Sequence, residues 1–310
     1  PCFRKRACNL VFSGGKSKLW SFQQSGRMLI GYNTNGFAHH DLLDAIEIMA
    51  EIGYLSVAIT IDHCTLNPYA SGLEQQLERV AAKLQSCGMC SVIETGARFL
   101  LDPRIKHEPT LLTADPEKRA IRVDFLCRCL DIAARLGSDC VSIRSRVLRQ
   151  EMREEQAFSL LTEGLQRVLE CAVRHDIPVG FEPEPGMFID VMDRFERLSR
   201  RLDTPCFKLT LDVGHLHCTG ETPISRYIDL FADRIVNVHL EDMRKGVHEH
   251  LMFGDGEMDF PPILQAFAKA GYQGGIHVEL SRHSHNAVSA AKQAYSFLAP
   301  MLAEIAAVPK

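Results

Sequence analysis

From Met28 onward the chain alternates short apolar runs with longer stretches in which apolar residues recur every three or four positions. The short runs lie at 29–32, 56–61, 90–94, 140–143, 178–181, 207–211, 235–240 and 276–280, and β-branched residues are frequent in them. Short apolar runs bounded by turn residues read as buried strands. Between them, Leu42, Leu43, Ile46, Met49 and Ile52 form one stripe at helical spacing. Leu73, Leu77, Val80, Ala81 and Leu84 form a second, and Val123, Leu126, Leu130, Ala133 and Leu136 a third. Leu161, Leu165, Val168 and Ala172 continue the series. Shorter helices fit 193–202, 224–231 and 261–270, and a last one fits 287–305. Gly53, Gly88, Gly137 and Gly271 stand where helices should stop before the next strand.

Eight strand–helix units in roughly 280 residues predict an α/β protein, a (β/α)8 TIM barrel in a single domain spanning 28–310. The structural alternative is an open doubly wound sheet. No G-x-G-x-x-G or Walker-type loop follows any strand, which weighs against it. Two connections are long, 95–116 and 241–260. Loops of that length are usually functional when they carry aromatic and charged residues, as these do.

Composition refines this picture at three points. The 310 residues are 46% hydrophobic and 24% charged, an ordinary globular balance. The first 27 residues differ, with six Lys or Arg and no acid, and are read as a basic extension foreign to the barrel. Without them 29 basic residues face 39 acidic ones, so the body carries a net charge near −10. An acidic body argues against gripping nucleic acid. No apolar run is long enough to span a membrane. The 11 cysteines are scattered and no secretory signal is evident, so reduced thiols and a cytoplasmic protein are expected.

In a TIM barrel the chemistry gathers where the strands end, because the following loops form one face. The fifth strand ends in "VGFEPEP", which puts Gly180, Glu182 and Glu184 on one side by the period-two rule. The sixth ends at Asp212, with His215 three residues on; the seventh carries His239 and the eighth Glu279. A carboxylate at a strand end is commonly a helix cap, and a lone strand histidine is commonly a core residue. Four consecutive strands ending in such groups differ from one. Carboxylates crowded round one mouth require a cation, and a divalent metal is the simplest. Gly214 is expected to let the chain turn out of the barrel. Arg98, Lys106 and His107 in the long third loop are placed to cover the site, and Arg144 and Arg146 to take carboxylate or phosphate. Asn33, Asn35 and His39 either line the pocket or belong to a helix cap around Asp41.

"EPEP", "LDVGHLH", "VNVHLEDM", "HEHLMFGDGEMDF" and "GGIHVEL" together resemble the xylose isomerase-like TIM-barrel superfamily, over about Met28 to Ile305. The resemblance implies a metal held by Glu182, Asp212, His239 and Glu279. It implies that His215 binds substrate or a second metal, that His250 lines the same site, and that Glu184 contacts substrate. In the endonuclease IV-type members further histidines sit on early strands, and His63 is the residue placed to match one.

One divalent ion is thus expected, Mn or Mg ahead of Co or Zn. Glu182 and Glu279 are the expected catalytic acid–base pair. Arg98, His107, Arg144, Asn33 and His63 join His215, His250 and Glu184 as candidate substrate contacts. The expected activity is an isomerase or epimerase of a sugar, polyol or keto-sugar through an enediolate. The alternatives are a dehydratase of an inosose-like ketone, an endonuclease IV-like phosphodiester hydrolase and a non-catalytic metabolite-binding barrel. The expected partner is the small-molecule substrate, with neither nucleic acid nor membrane, and a homodimer is compatible with these features.

Overall fold

The computed structural model describes residues 28–149, 151–202 and 204–307; the basic segment 1–27 lies outside the described residues. Eight strands close into a parallel barrel: β1 (Leu29–Asn33), β2 (Ser56–Thr60), β3 (Cys90–Glu94), β4 (Val141–Arg144), β5 (Val179–Glu182), β6 (Phe207–Asp212), β7 (Ile235–Leu240) and β10 (Gly275–Val278). Each pairs with its sequence neighbour in the barrel, and β10 closes the ring by pairing with β1 through Leu29↔Gly275 to Tyr32↔Val278. The expected (β/α)8 TIM barrel is therefore the observed fold.

The helical stripes appear as α1 (Leu42–Ile52), α2 (Leu73–Cys87), α3 (Pro116–Leu136) and α4 (Glu154–His175), followed by α5 (Met192–Ser199), α6 (Val213–Thr219), α7 (Ile224–Phe231), α8 (Phe260–Lys269) and α9 (Ala287–Ala307). Local chemistry sets their ends. Asp41 accepts from the Leu43 amide to start α1, and Asp115 accepts from the Glu117 and Lys118 amides with Pro116 at the first turn of α3. Helices bury their stripes against the outward faces of the strands. Phe195 of α5 stacks on Phe207 of β6 at a centroid separation of 5.7 Å. Phe195 is fully buried, so truncation to alanine there costs about 3–5 kcal/mol.

Three features depart from expectation. The 241–260 connection is not a plain loop: Asp242–Arg244 (β8) and Val247–Leu251 (β9) pair as an antiparallel hairpin. Buried Asp242 organises its return, accepting from the amides of Met243 and Met258 on Oδ1 and of Gly254 and Gly256 on Oδ2. Second, "VGHLHCT" is helical as α6, because Asp212 caps it by accepting from the His215 amide. Third, Cys127 of α3 and Cys171 of α4 form a disulfide with Cα atoms 5.7 Å apart. This corrects the expectation of reduced thiols at those two positions. They are separated by 44 residues, and only the side-by-side packing of the two helices brings them within bonding reach.

Inside the barrel the lowest layer is small and apolar, with Ala58, Val92 and Cys140 packed against Val236. Above it the lining turns polar. Thr210 donates to Ser142, and Asn237 donates to Glu94 while its carbonyl oxygen lies 2.8 Å from Nδ1 of His277. Among the described residues no helix is long and apolar enough to cross a membrane.

Candidate metal centre

Glu182 ends β5, Asp212 ends β6, His239 lies near the end of β7, and Glu279 follows β10. Their ligating atoms all lie within 4.8 Å of one another, and all four residues are buried. His239 is the hub. Its Nδ1 is 3.0 Å from Glu279 Oε2, 3.2 Å from Glu182 Oε1 and 3.9 Å from Asp212 Oδ2. The opposite ring nitrogen, Nε2, donates to Glu94 Oε1 at 2.8 Å. A carboxylate behind an imidazole fixes the tautomer and ring plane. Here it leaves Nδ1 to face the three other carboxylates.

The remaining groups hold these carboxylates in place. Arg144 bonds Glu182 through Nε, which also stands 3.1 Å from Glu184, while Nη2 is 3.9 Å from both Glu94 and Glu279. Asn35 donates to Glu279 Oε1 at 2.8 Å. One layer below, His277 Nε2 contacts Ser56 Oγ at 2.9 Å and Nδ1 contacts Asn237, linking Ser56, His277, Asn237, Glu94 and His239 in one buried chain.

The charges are strongly perturbed. Burial opposes charging His239, but the carboxylates of Glu94, Glu182 and Glu279 outweigh it and raise its pKa well above the histidine range. Burial, then Glu241 and Glu182, push Asp212 far above the usual carboxylate value. Burial likewise opposes ionising Glu279, yet His239 and then His250 and Arg144 hold it well below. Without a cation, then, a proton is retained on His239 and Asp212 resists ionisation. Asp212 Oδ2 and Glu279 Oε2 accept no well-formed hydrogen bond although both are buried. Such orphaned oxygens beside an imidazole suit a divalent ion.

A second tier stands beside this cluster. His215 Nε2 is 3.4 Å from Asp212 Oδ2 and 3.0 Å from His248 Nε2, and its Nδ1 is 3.1 Å from the Pro183 carbonyl. His250 Nδ1 lies 3.7 Å from Glu241, which is fully buried with both carboxylate oxygens unpartnered. Burial opposes the His250 charge, but Glu241 holds its pKa up to about 10. Gly214 sits here for proximity rather than for turning the chain outward: a Cβ on it would stand 2.0 Å from Glu241 Oε1. That corrects its expected role.

The expected substrate contacts divide. Arg144, Glu184, His215 and His250 gather at the cluster. Four others do not. His63 is exposed, and its amide donates to the neighbouring Asp62 side chain. Arg98 lies 3.6 Å from Asp62 on the rim, and His107 is held under the third loop with Nδ1 3.1 Å from the Gly96 carbonyl. Asn33 serves locally, accepting from Asn35 and Thr60; it is Asn35 that reaches Glu279. His39 is exposed. Sequence reasoning did not assign Glu94, Glu241, Asn237 or His277. All four were within reach of a pattern: Glu94 ends β3, Asn237 is two residues before His239 on the same strand face, Glu241 is two after it, and His277 is two before Glu279.

An inosose dehydratase of Clostridium beijerinckii is 30% identical over 142 residues, 40% of this chain and 47% of that protein, so the match spans about half the length of that relative. The L-ribulose-5-phosphate 3-epimerase UlaE of Salmonella typhi is 21% identical over 241 residues, 77% of this chain and 81% of the epimerase. A solved structure of IOLI protein with a binding zinc atom superposes with a TM-score of 0.74 at 16% identity, covering 91% of this chain and 100% of that one; it speaks to the fold alone. The family model of the xylose isomerase-like TIM barrel matches residues 46–301, and with a closed eight-stranded barrel whose late strands carry this cluster, the chain belongs to that family.

Proposed function

We propose that this protein is a divalent-metal-dependent isomerase or epimerase of a sugar, polyol or keto-sugar. The observation that carries the proposal is the convergence of Glu182, Asp212, His239 and Glu279 within 4.8 Å, with unpartnered carboxylate oxygens turned into the cluster. A divalent ion held by these four, Mn²⁺ or Mg²⁺ by preference and Co²⁺ or Zn²⁺ next, would supply Lewis acidity towards the carbonyl and hydroxyl oxygens of such a substrate.

The chain's own groups supply the rest. Glu182 and Glu279 come from β5 and from the end of β10, on either side of β6 and β7. Each is a carboxylate that can take a proton from a C–H beside a carbonyl and return it. Arg144 fixes Glu182, and Asn35 fixes Glu279. The side-chain oxygen of Asn35, Oδ1, has no partner and can accept from a substrate hydroxyl. Return of the proton to the opposite face gives an epimer, and return to the neighbouring carbon gives an aldose–ketose isomer.

A second reading is dehydration of an inosose-like ketone, in which proton removal is followed by loss of a β-hydroxyl. The 30% identical inosose dehydratase favours it. Metal analysis of the purified protein, followed by deuterium uptake from D₂O across ketoses and inososes, tests both. One bound metal with C–H exchange and retained hydroxyls supports the first reading; water loss from an inosose supports the second. Three zinc ions with cleavage of abasic DNA would overturn both.

A further inference from the structure

His277 lies on β10 and is fully buried. The flanking backbone makes room for its ring at two points. A Cβ on Gly31 of β1 would stand 2.3 Å from the ring Cδ2, and one on Gly275 of β10 would stand 2.3 Å from Cε1. Neither glycine adopts a positive φ, so close approach of the imidazole is what these two positions require.

The ring nitrogens join a hydrogen-bond chain. Ser56 Oγ lies 2.9 Å from Nε2, and Asn237 Oδ1 lies 2.8 Å from Nδ1. Asn237 is on β7, and its Nδ2 donates to Glu94 Oε1 of β3 at 3.0 Å. The same carboxylate oxygen is 2.8 Å from His239 Nε2. This chain has one polarity. A carboxylate only accepts, so Asn237 turns its NH2 to Glu94 and its oxygen to His277. An amide oxygen also only accepts, so His277 Nδ1 carries a proton whether the ring is neutral or charged. By the same rule His239 Nε2 carries a proton, and Nδ1 is the nitrogen left facing Glu182, Asp212 and Glu279. Without the His277 donor, a buried amide oxygen would lose its partner and Asn237 would no longer be held one way round. Asn237 Nδ2 also stands 3.2 Å from His239 Nε2. A turned Asn237 would put its oxygen there instead and compete with Glu94 for the Nε2 proton.

We propose that His277 is a positioning residue of the metal centre. Through Asn237 it keeps Glu94 on His239 Nε2, and so keeps His239 Nδ1 turned to the ion. The role rests on the metal-dependent reading above.

Two measurements on the full chain test it. The first needs no metal. With histidine labelled by nitrogen-15, the His277 signals are those missing from His277→Asn. Nδ1 of His277 should carry a proton in the native chain, and a bare Nδ1 overturns the proposal. The second is Zn²⁺ affinity, read by competition with a chelator. Leu and Asn side chains branch alike, but only Asn can donate at the level of Nδ1. His277→Leu should weaken Zn²⁺ binding by about 10-fold or more, and His277→Asn should stay within about 3-fold of native. Equal losses in both variants, or no loss in His277→Leu, would remove the positioning role while leaving the metal centre intact. If the native chain binds no Zn²⁺, the metal-dependent reading falls and this role with it. If His277→Leu does not fold, the Nδ1 proton of the native chain and the affinity of His277→Asn decide.

Discussion

In β5, β6 and β7 and just after β10, the polar residues at the strand ends are Glu182, Asp212, His239 and Glu279. In β1, β2, β3 and β4 they are Asn33, Thr60, Glu94 and Arg144. The later group converges on one point, within 4.8 Å. The earlier group holds that point in shape. Glu94 fixes the His239 ring, Arg144 fixes Glu182, and Asn33 caps the turn that carries Asn35 to Glu279. One half of the barrel thus presents ligand atoms and the other orients them. Thr60 and Arg144 are half-buried, but Asn33 and Glu94 are as buried as the four late-strand residues, so burial alone does not distinguish a presenting residue from an orienting one. The partner of each side chain does.

Substitutions in the two halves should therefore fail differently. The largest effect is expected from Glu279→Gln, which keeps the shape but removes a base: deuterium exchange should fall by at least about 10³-fold. Full exchange with full metal affinity would refute the role given to Glu279. Arg144→Met acts through stability. It leaves Glu182 and Glu184 buried without their counter-charge, and urea denaturation should show a loss of about 3–5 kcal/mol.

Glu94→Gln should leave the fold intact and weaken divalent-ion affinity by about 10–100-fold, read by competition with a chelator. An unchanged affinity would remove Glu94 from the orienting group. His107→Asn tests the loop rather than the cluster. The folded pKa of His107, about 2, lies below its ordinary 6.5, so the neutral ring is favoured on folding. Its contribution is present above the ordinary value and is lost as pH falls from 6.5 towards 2. The variant should lose less stability than the native chain between about pH 7 and pH 4.5, measured by urea midpoints. The smallest effect belongs to His63→Ala. This side chain is exposed and off the cluster, so kcat and KM should stay within about 2-fold.

Much of the fold was legible in the chain. Periods of two and of 3.6 report burial on one face of an element, and both follow from residues close in sequence. The strand ends of β5, β6, β7 and β10 were legible for the same reason, since a parallel barrel brings all such ends to one rim. Other features were not. His63 and Arg98 lie in loops after β2 and β3, and no periodicity states which way a loop side chain points. Asn33 and Asn35 are two residues apart, yet one caps a turn and the other contacts Glu279 across 244 positions. The Cys127–Cys171 bond depends on how α3 and α4 lie together.

The sequence by itself thus determined the barrel, its element order and the residue types offered at its mouth, because local periodicity and chain order are enough to specify these. The tertiary structure alone decided which side chains meet. Glu94 behind His239, Glu241 beside Gly214 and Asn35 on Glu279 all join residues distant in sequence. Contacts of that kind arise when a closed barrel brings distant strands together, so they follow from packing rather than from any local pattern.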